Sequence, residues 1–221
     1  PLINRKFQSP LSKEIFFETE FNTHNLPFLA DHRICAKIVV PAASHISLLL
    51  AGASLTFSTI GCQLEDILFP KVLAIPEQGV RNVQLALTPQ DSSHSFQVIS
   101  FDSFSSSING SSSCVVHATG KISPTTKSFQ HSLETIKEIQ SRCNQKIESA
   151  EIYQVLWDRQ INLGESFRWI DQFWLGEEEI LCQMKVPETV LDDLKYQIHP
   201  ALINSCFQSS LVAFYFGLSG D

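Results

Sequence analysis

The sequence predicts an α+β fold, and three observations carry that prediction. Two long apolar runs, residues 42–57 and 201–216, each follow a proline, Pro41 and Pro200, and contain no breaker except Gly52. Each reads as a helix that is apolar almost all round and therefore buried on most sides. Short aromatic and β-branched segments surround both runs, as strands of an antiparallel sheet would. The same arrangement in both halves points to an internally duplicated unit, a sheet wrapped round a helix.

The elements follow in order. Residues 14–21 (Glu-Ile-Phe-Phe-Glu-Thr-Glu-Phe) read as a strand and residues 34–40 as a second, ahead of the first helix at 42–57. Four strand candidates come next: 64–75, interrupted by Pro70, then 82–88, 95–101 and 114–122. The Ser-rich stretch 103–113, with Asn109-Gly110 inside it, reads as a long hairpin connection. Residues 123–130, with Pro124 and two threonines, read as a linker. The expected division is therefore 1–122, a linker at 123–131, and 132–221. Helices are expected at 133–142 and 150–160, the latter capped by Glu148-Ser149. Strands at 167–174 and 179–186, a short helix at 188–194 and the apolar helix at 201–216 complete the chain.

Composition narrows the function. With 221 residues, 43% hydrophobic content and sixteen Phe, the chain can bury a substantial core. Its formal charge of -7, without a block of Lys or Arg, argues against nucleic acid or an anionic membrane as main partner. The six Cys (Cys35, Cys62, Cys114, Cys143, Cys182 and Cys206) show neither a CxxC pair nor metal-ligand spacing, and read as reduced, buried thiols. No metal and no nucleotide cofactor is implied. The N-terminus lacks the apolar stretch of a signal peptide, and residues 46–53 fall short of the about 20 needed to span a bilayer. A cytoplasmic location is expected. Starting on Pro1 suggests a piece excised from a longer polypeptide.

Two segments carry the chemistry. One runs from Leu29-Ala30-Asp31-His32-Arg33 to Pro41, and the other is His199-Pro200-Ala201-Leu202-Ile203-Asn204-Ser205-Cys206-Phe207-Gln208. Each sets one chemistry-capable side chain, His32 or Asn204, beside a proline and an apolar helix. Both resemble the active-site motifs of dehydratase domains of modular polyketide synthases, HxxxGxxxxP and the HPALLDAxxQ stretch. The resemblance covers essentially the whole chain and implies a double hotdog. In that family several strands follow the second central helix, so the second hotdog is expected to be incomplete here. Strands beyond Asp221 are expected in the native polypeptide.

Three positions depart from the pattern. Ala36 stands where the family usually has Gly, a change that is harmless at negative φ and damaging otherwise. Leu163-Gly164-Glu165-Ser166-Phe167 stands where many relatives read Tyr-Gly-Pro-x-Phe, so a tyrosine hydroxyl is missing and Leu163 would line an apolar acyl tunnel. Most consequential is Asn204, at the position of the catalytic aspartate.

Losing water from a β-hydroxyacyl thioester needs a base for the α-proton and an acid for the departing hydroxyl. His32, kept neutral by burial among Phe28, Ile34 and Val40, suits the base. By itself such a histidine is more often an ordinary surface or capping residue; the resemblance implies otherwise. Asn204 can donate hydrogen bonds but has no proton to transfer, and losing the acid could raise the barrier by roughly 3–5 kcal/mol. Gln208, one turn on, is expected to hydrogen-bond to it. Pro41 and Pro200 would set the starts of the two helices, with an oxyanion donor at a backbone N–H near Pro41. His45 reads as a hydrogen-bonded core residue and His199 as a structural one.

The resemblance implies a substrate on the phosphopantetheine arm of an acyl carrier protein, neighbouring synthase domains, and a homodimer as the assembly. Three readings of Asn204 stay open. It is an engineered aspartate-to-asparagine change in a normal dehydratase, or it belongs to an isomerase that shifts an enoyl double bond using His32 alone, or the domain is a silent structural and dimerisation module.

Overall fold

Period-two alternation organises the first half. The computed structural model describes residues 2–57, 61–101, 114–126, 134–193 and 195–217. In chain order its strands are β1 (Arg5–Gln8), β2 (Ile15–Phe21), β3 (His32–Ile34), β4 (Lys37–Val40), β5 (Gly61–Leu68), β6 (Leu73–Ala74), β7 (Arg81–Gln90), β8 (Ser93–Phe101), β9 (Cys114–Thr125), β10 (Gln145–Glu148), β11 (Ile161–Leu163), β12 (Ile170–Leu175) and β13 (Ile180–Met184). The helices are α1 (Ala42–Ser54), α2 (Ile136–Arg142), α3 (Ser149–Asp158) and α4 (Pro200–Tyr215).

Phe17, Thr19 and Phe21 of β2 are buried, as are Val83, Leu85 and Leu87 of β7 and Phe96 and Val98 of β8. One apolar face results, in a six-stranded antiparallel sheet of order β1-β2-β7-β8-β9-β5. Helix α1 lies on that face. It comes close because residue 52 is glycine: a Cβ there would sit 2.8 Å from Leu85 Cδ2 and 3.4 Å from Phe17 Cε2. In the second half β10, β12 and β13 form a three-stranded sheet that contacts α4 and α3.

The two halves are sewn together rather than merely apposed. A third sheet, of order β11-β3-β4-β6, pairs β11 of the second half with β3 of the first, setting Leu163 opposite His32. Helices α1 and α4 also pack on each other, with Ser47 Oγ donating to the Ile198 carbonyl at 3.0 Å.

Several expectations change. Residues 34–40 are not one strand but a hairpin, with Cys35 and Ala36 as its two-residue turn at φ +49° and +63°. Two consecutive left-handed residues are what a turn matching the twist of its strands demands. Strand β9 runs on to Thr125, past the expected start of the linker at residue 123; positions 127–133, like the whole Ser-rich 103–113 stretch, lie outside the described residues. Strands β1, β10 and β11 were not anticipated; each has only three or four residues, too few for a period to show. Glu148 precedes α3 but its side chain makes no capping bond, whereas Thr135 and Glu138 form a capping box on α2. Residues 165–167 form a 3-10 turn ahead of β12, and residues 188–193 form another where a short helix was expected. Only Cys143 is buried among the cysteines; Cys35, Cys114 and Cys206 are exposed, and all six are free thiols. No described helix is long and apolar enough to cross a membrane.

Candidate active site

Where β3, β4 and the start of α1 meet α4, they enclose a mostly apolar cavity of about 320 Å³. Its walls include His32, Pro41 and His45 from the first half and Leu163, Asn204 and Gln208 from the second. The two halves of the motif therefore converge on one space.

His32 ends the 3-10 turn of residues 27–31 and opens β3, and is only 6% exposed. Its Nδ1 lies 2.8 Å from the Val39 carbonyl across the hairpin. A carbonyl oxygen only accepts, so Nδ1 carries the proton and Nε2 keeps its lone pair. Burial lowers the ring's pKa below the usual histidine value, outweighing the Val39 hydrogen bond. The ring is thus a neutral base in a fixed tautomer, packed against Phe167 at 5.0 Å between centroids.

The preceding residue holds the opposite half in place. The Asp31 backbone carbonyl accepts from Gly164 N–H at 2.8 Å, and its side-chain Oδ2 accepts from Ser166 N–H at 3.0 Å. This carboxylate caps the 165–167 turn and fixes Leu163 and Phe167 beside His32. The motif contained Asp31, but nothing in the sequence says that its partner lies across the molecule.

Asn204 sits half-buried on α4 facing the cavity, and Gln208 lies one turn further in. The expected bond between them is not formed. Gln208 is 6% exposed, yet neither its Nε2 nor its Oε1 has a hydrogen-bond partner. Buried amides are rarely left so, and a pair of orphaned polar atoms beside a cavity suits a polar ligand group. Pro41 and Ala42 also line the space, so the first turn of α1 opens onto it; Ser44 N–H there donates to the Pro41 carbonyl at 2.8 Å, while the N–H groups of Ala42 and Ala43 precede the first intrahelical bond.

Not every expected site residue is there. Ala36 is at the exposed tip of the hairpin, away from the cavity, and its φ is positive, the geometry in which alanine is the poorer choice. Pro200 is the buried first residue of α4, where its missing N–H costs nothing, and does not line the space. Phe167 acts from behind, through His32. Ile34, expected beside His32 in the core, is 36% exposed. His199 is structural as expected: its Nδ1 accepts from Ala201 N–H at 3.1 Å and caps α4. His45 is buried but, contrary to expectation, its Nδ1 has no hydrogen-bond partner. His117 on β9 also lines the cavity and was missed, since only the register of β9 brings it there.

Known proteins share this fold. Two family models match, described as a polyketide synthase dehydratase domain over residues 1–101 and a polyketide synthase dehydratase N-terminal domain over residues 133–220. The dehydratase domain from the CurJ module of curacin polyketide synthase is 64% identical, with a TM-score of 0.87 over 100% of this chain and 73% of that one. The chain belongs to the dehydratase domains of modular polyketide synthases. The fold is that family's double hotdog.

More distant members fit this dehydratase domain as well. A CurK dehydratase bearing an aspartate-to-asparagine change, described as an inactive mutant, is 26% identical with a TM-score of 0.82, covering 97% of this chain and 76% of that one. Polyketide synthase PksM of Bacillus subtilis (strain 168) is 22% identical over 96% of this chain, which spans 5% of that relative's length.

Proposed function

We propose that this dehydratase domain acts on β-hydroxyacyl and enoyl thioesters carried by an acyl carrier protein, with loss of water to an α,β-enoyl thioester as its parent activity, impaired here by Asn204. The observation that carries the reading is a neutral His32, its Nε2 free, sharing one apolar cavity with Asn204.

His32 Nε2 would remove the α-proton while the Val39 carbonyl holds the Nδ1–H of the resulting imidazolium. The thioester oxygen, as it gains charge, would lie at the start of α1, where backbone N–H groups and the helix dipole favour an anion. The hydroxyl then needs a proton, which a carboxamide cannot supply. CurK dehydratases described as inactive carry either a histidine-to-phenylalanine or an aspartate-to-asparagine change. The two changed positions are separated by nearly the same length of chain as His32 and Asn204, which supports assigning the same pair here.

A second reading rests on the same asymmetry. With the base intact and the acid absent, His32 alone could take a γ-proton from an enoyl thioester and return a proton at the α-carbon, shifting the double bond. A silent structural module is the third.

One comparison separates them: the chain and its Asn204→Asp form, each given a β-hydroxyacyl and an enoyl carrier-protein thioester in D2O. Asn204→Asp is expected to raise water loss by about 10²–10⁴-fold. Deuterium at the α- and γ-carbons without water loss, abolished by His32→Ala, would select the isomerase. Neither reaction in either form would leave the structural module.

A further inference from the structure

We propose that the wall of the cavity formed by His45 and His117 is a second binding subsite, which accepts an uncharged hydrogen-bonding group of the thioester substrate. The inference rests on the reading that a thioester occupies this cavity, and it deepens that reading by naming what else the substrate must carry. Two sources fit the chemistry: an oxygen further along the acyl chain, or an amide of the pantetheine arm.

The two imidazoles are nearly parallel, 7° apart with centroids separated by 6.3 Å, and both are buried. His117 is fully used. Its Nδ1 donates to the Lys71 carbonyl at 3.0 Å, which fixes the tautomer, and its Nε2 then accepts from Ser100 Oγ at 2.8 Å. His45 is the opposite case. It is 3% exposed, faces the same cavity from the first turn of α1, and has a fully buried Nδ1 with no partner. Phe69, 6.1 Å from its ring on the cavity wall, can offer no hydrogen bond.

An orphaned polar atom in a close-packed interior costs about as much as a lost hydrogen bond, so such atoms are rare unless a ligand completes them. The class of ligand follows from charge. Burial, with His117 alongside, keeps the His45 pKa at about 4, so the ring is neutral at physiological pH. It offers no charge to a carboxylate or phosphate. One donor and one acceptor suit a hydroxyl, ketone or amide. His32 differs from His45 in one decisive way: a backbone carbonyl bonds its Nδ1 and sets its tautomer, whereas no described group bonds the Nδ1 of His45.

The test measures binding by the intact chain, so that it does not depend on turnover. Three saturated probes are compared by calorimetry: hexanoyl-pantetheine, δ-oxohexanoyl-pantetheine, and the hexanoyl thioester of ethanethiol, which has no amide. If the acyl chain supplies the group, the oxo probe binds roughly tenfold tighter than its plain counterpart, and His45→Phe erases the difference. If the arm supplies it, the same tenfold preference separates pantetheine from ethanethiol and is likewise erased. Imidazole 15N shifts of His45 in the unsubstituted protein, which should move on binding, decide the matter should His45→Phe or His45→Asn fail to fold. Equal ratios in the unsubstituted protein and in His45→Phe, or bound probes that leave the His45 nitrogens unmoved, would overturn the subsite alone. Failure of every probe to bind, with His32 resonances unchanged, would instead remove the reading on which it rests.

Discussion

A single hydrogen bond, from His32 Nδ1 to the Val39 carbonyl, decides which ring nitrogen can act as a base. Because burial depresses the pKa of that ring, proton removal should persist below pH 6.5 and fall only as the pH drops through the lowered value. The acidic limb of an α-proton exchange profile reads this directly; a midpoint above 6.5 would contradict it. Immediately before the strand that supplies Val39, Ala36 holds φ +63° in a turn whose second position favours glycine. A left-handed alanine costs on the order of 1 kcal/mol. Ala36→Gly should therefore raise Tm by about 2–4 °C in a thermal melt, even though it lies outside the cavity. The position matters here through its backbone, since its side chain is exposed and does not line the cavity.

At the scale of elements, the site depends on a seam between β3 and β11. Asp31 ties the seam from one side, and Gly164 allows it from the other: a Cβ on residue 164 would lie 2.3 Å from Asp31 Cγ. Gly164→Ala must push the loop away from His32. We expect a destabilisation of about 1–3 kcal/mol in denaturant unfolding, typical of overpacking against a fixed group, together with loss of exchange activity. Asp31→Asn keeps the shape and should cost less. The helices around this seam were legible because an apolar run after a proline leaves few alternatives. The seam strands were not, since three or four residues cannot display a period and their partners lie over a hundred positions away.

Across the whole molecule, buried neutral histidines link stability to pH. His45 holds its proton only below about 4 when folded, against about 6.5 in the unfolded chain. Between those values the unfolded state binds more protons, so stability falls as pH falls through this window and is complete above it. The effect is of order 3 kcal/mol for His45. Burial lowers His32 and His117 too, so they add in the same sense. Urea midpoints should drop between pH 6.5 and 4, and His45→Phe should flatten that slope. An unchanged slope would show that the ring is charged or solvated in the folded state.

The sequence by itself determined the two proline-led helices and the strands that wrap the first of them, and its motifs set His32 and Asn204 each beside one of those prolines. Those features are local: periodicity, breakers and motif spacing survive in one dimension. Only the tertiary structure decided which nitrogen of His32 is free, that Asp31 braces the opposite half, that Gln208 and His45 face the cavity without partners, and that Ala36 does not. These depend on hydrogen bonds and burial between residues remote in the chain, and a polar side chain's chemistry is set by what surrounds it rather than by what precedes it.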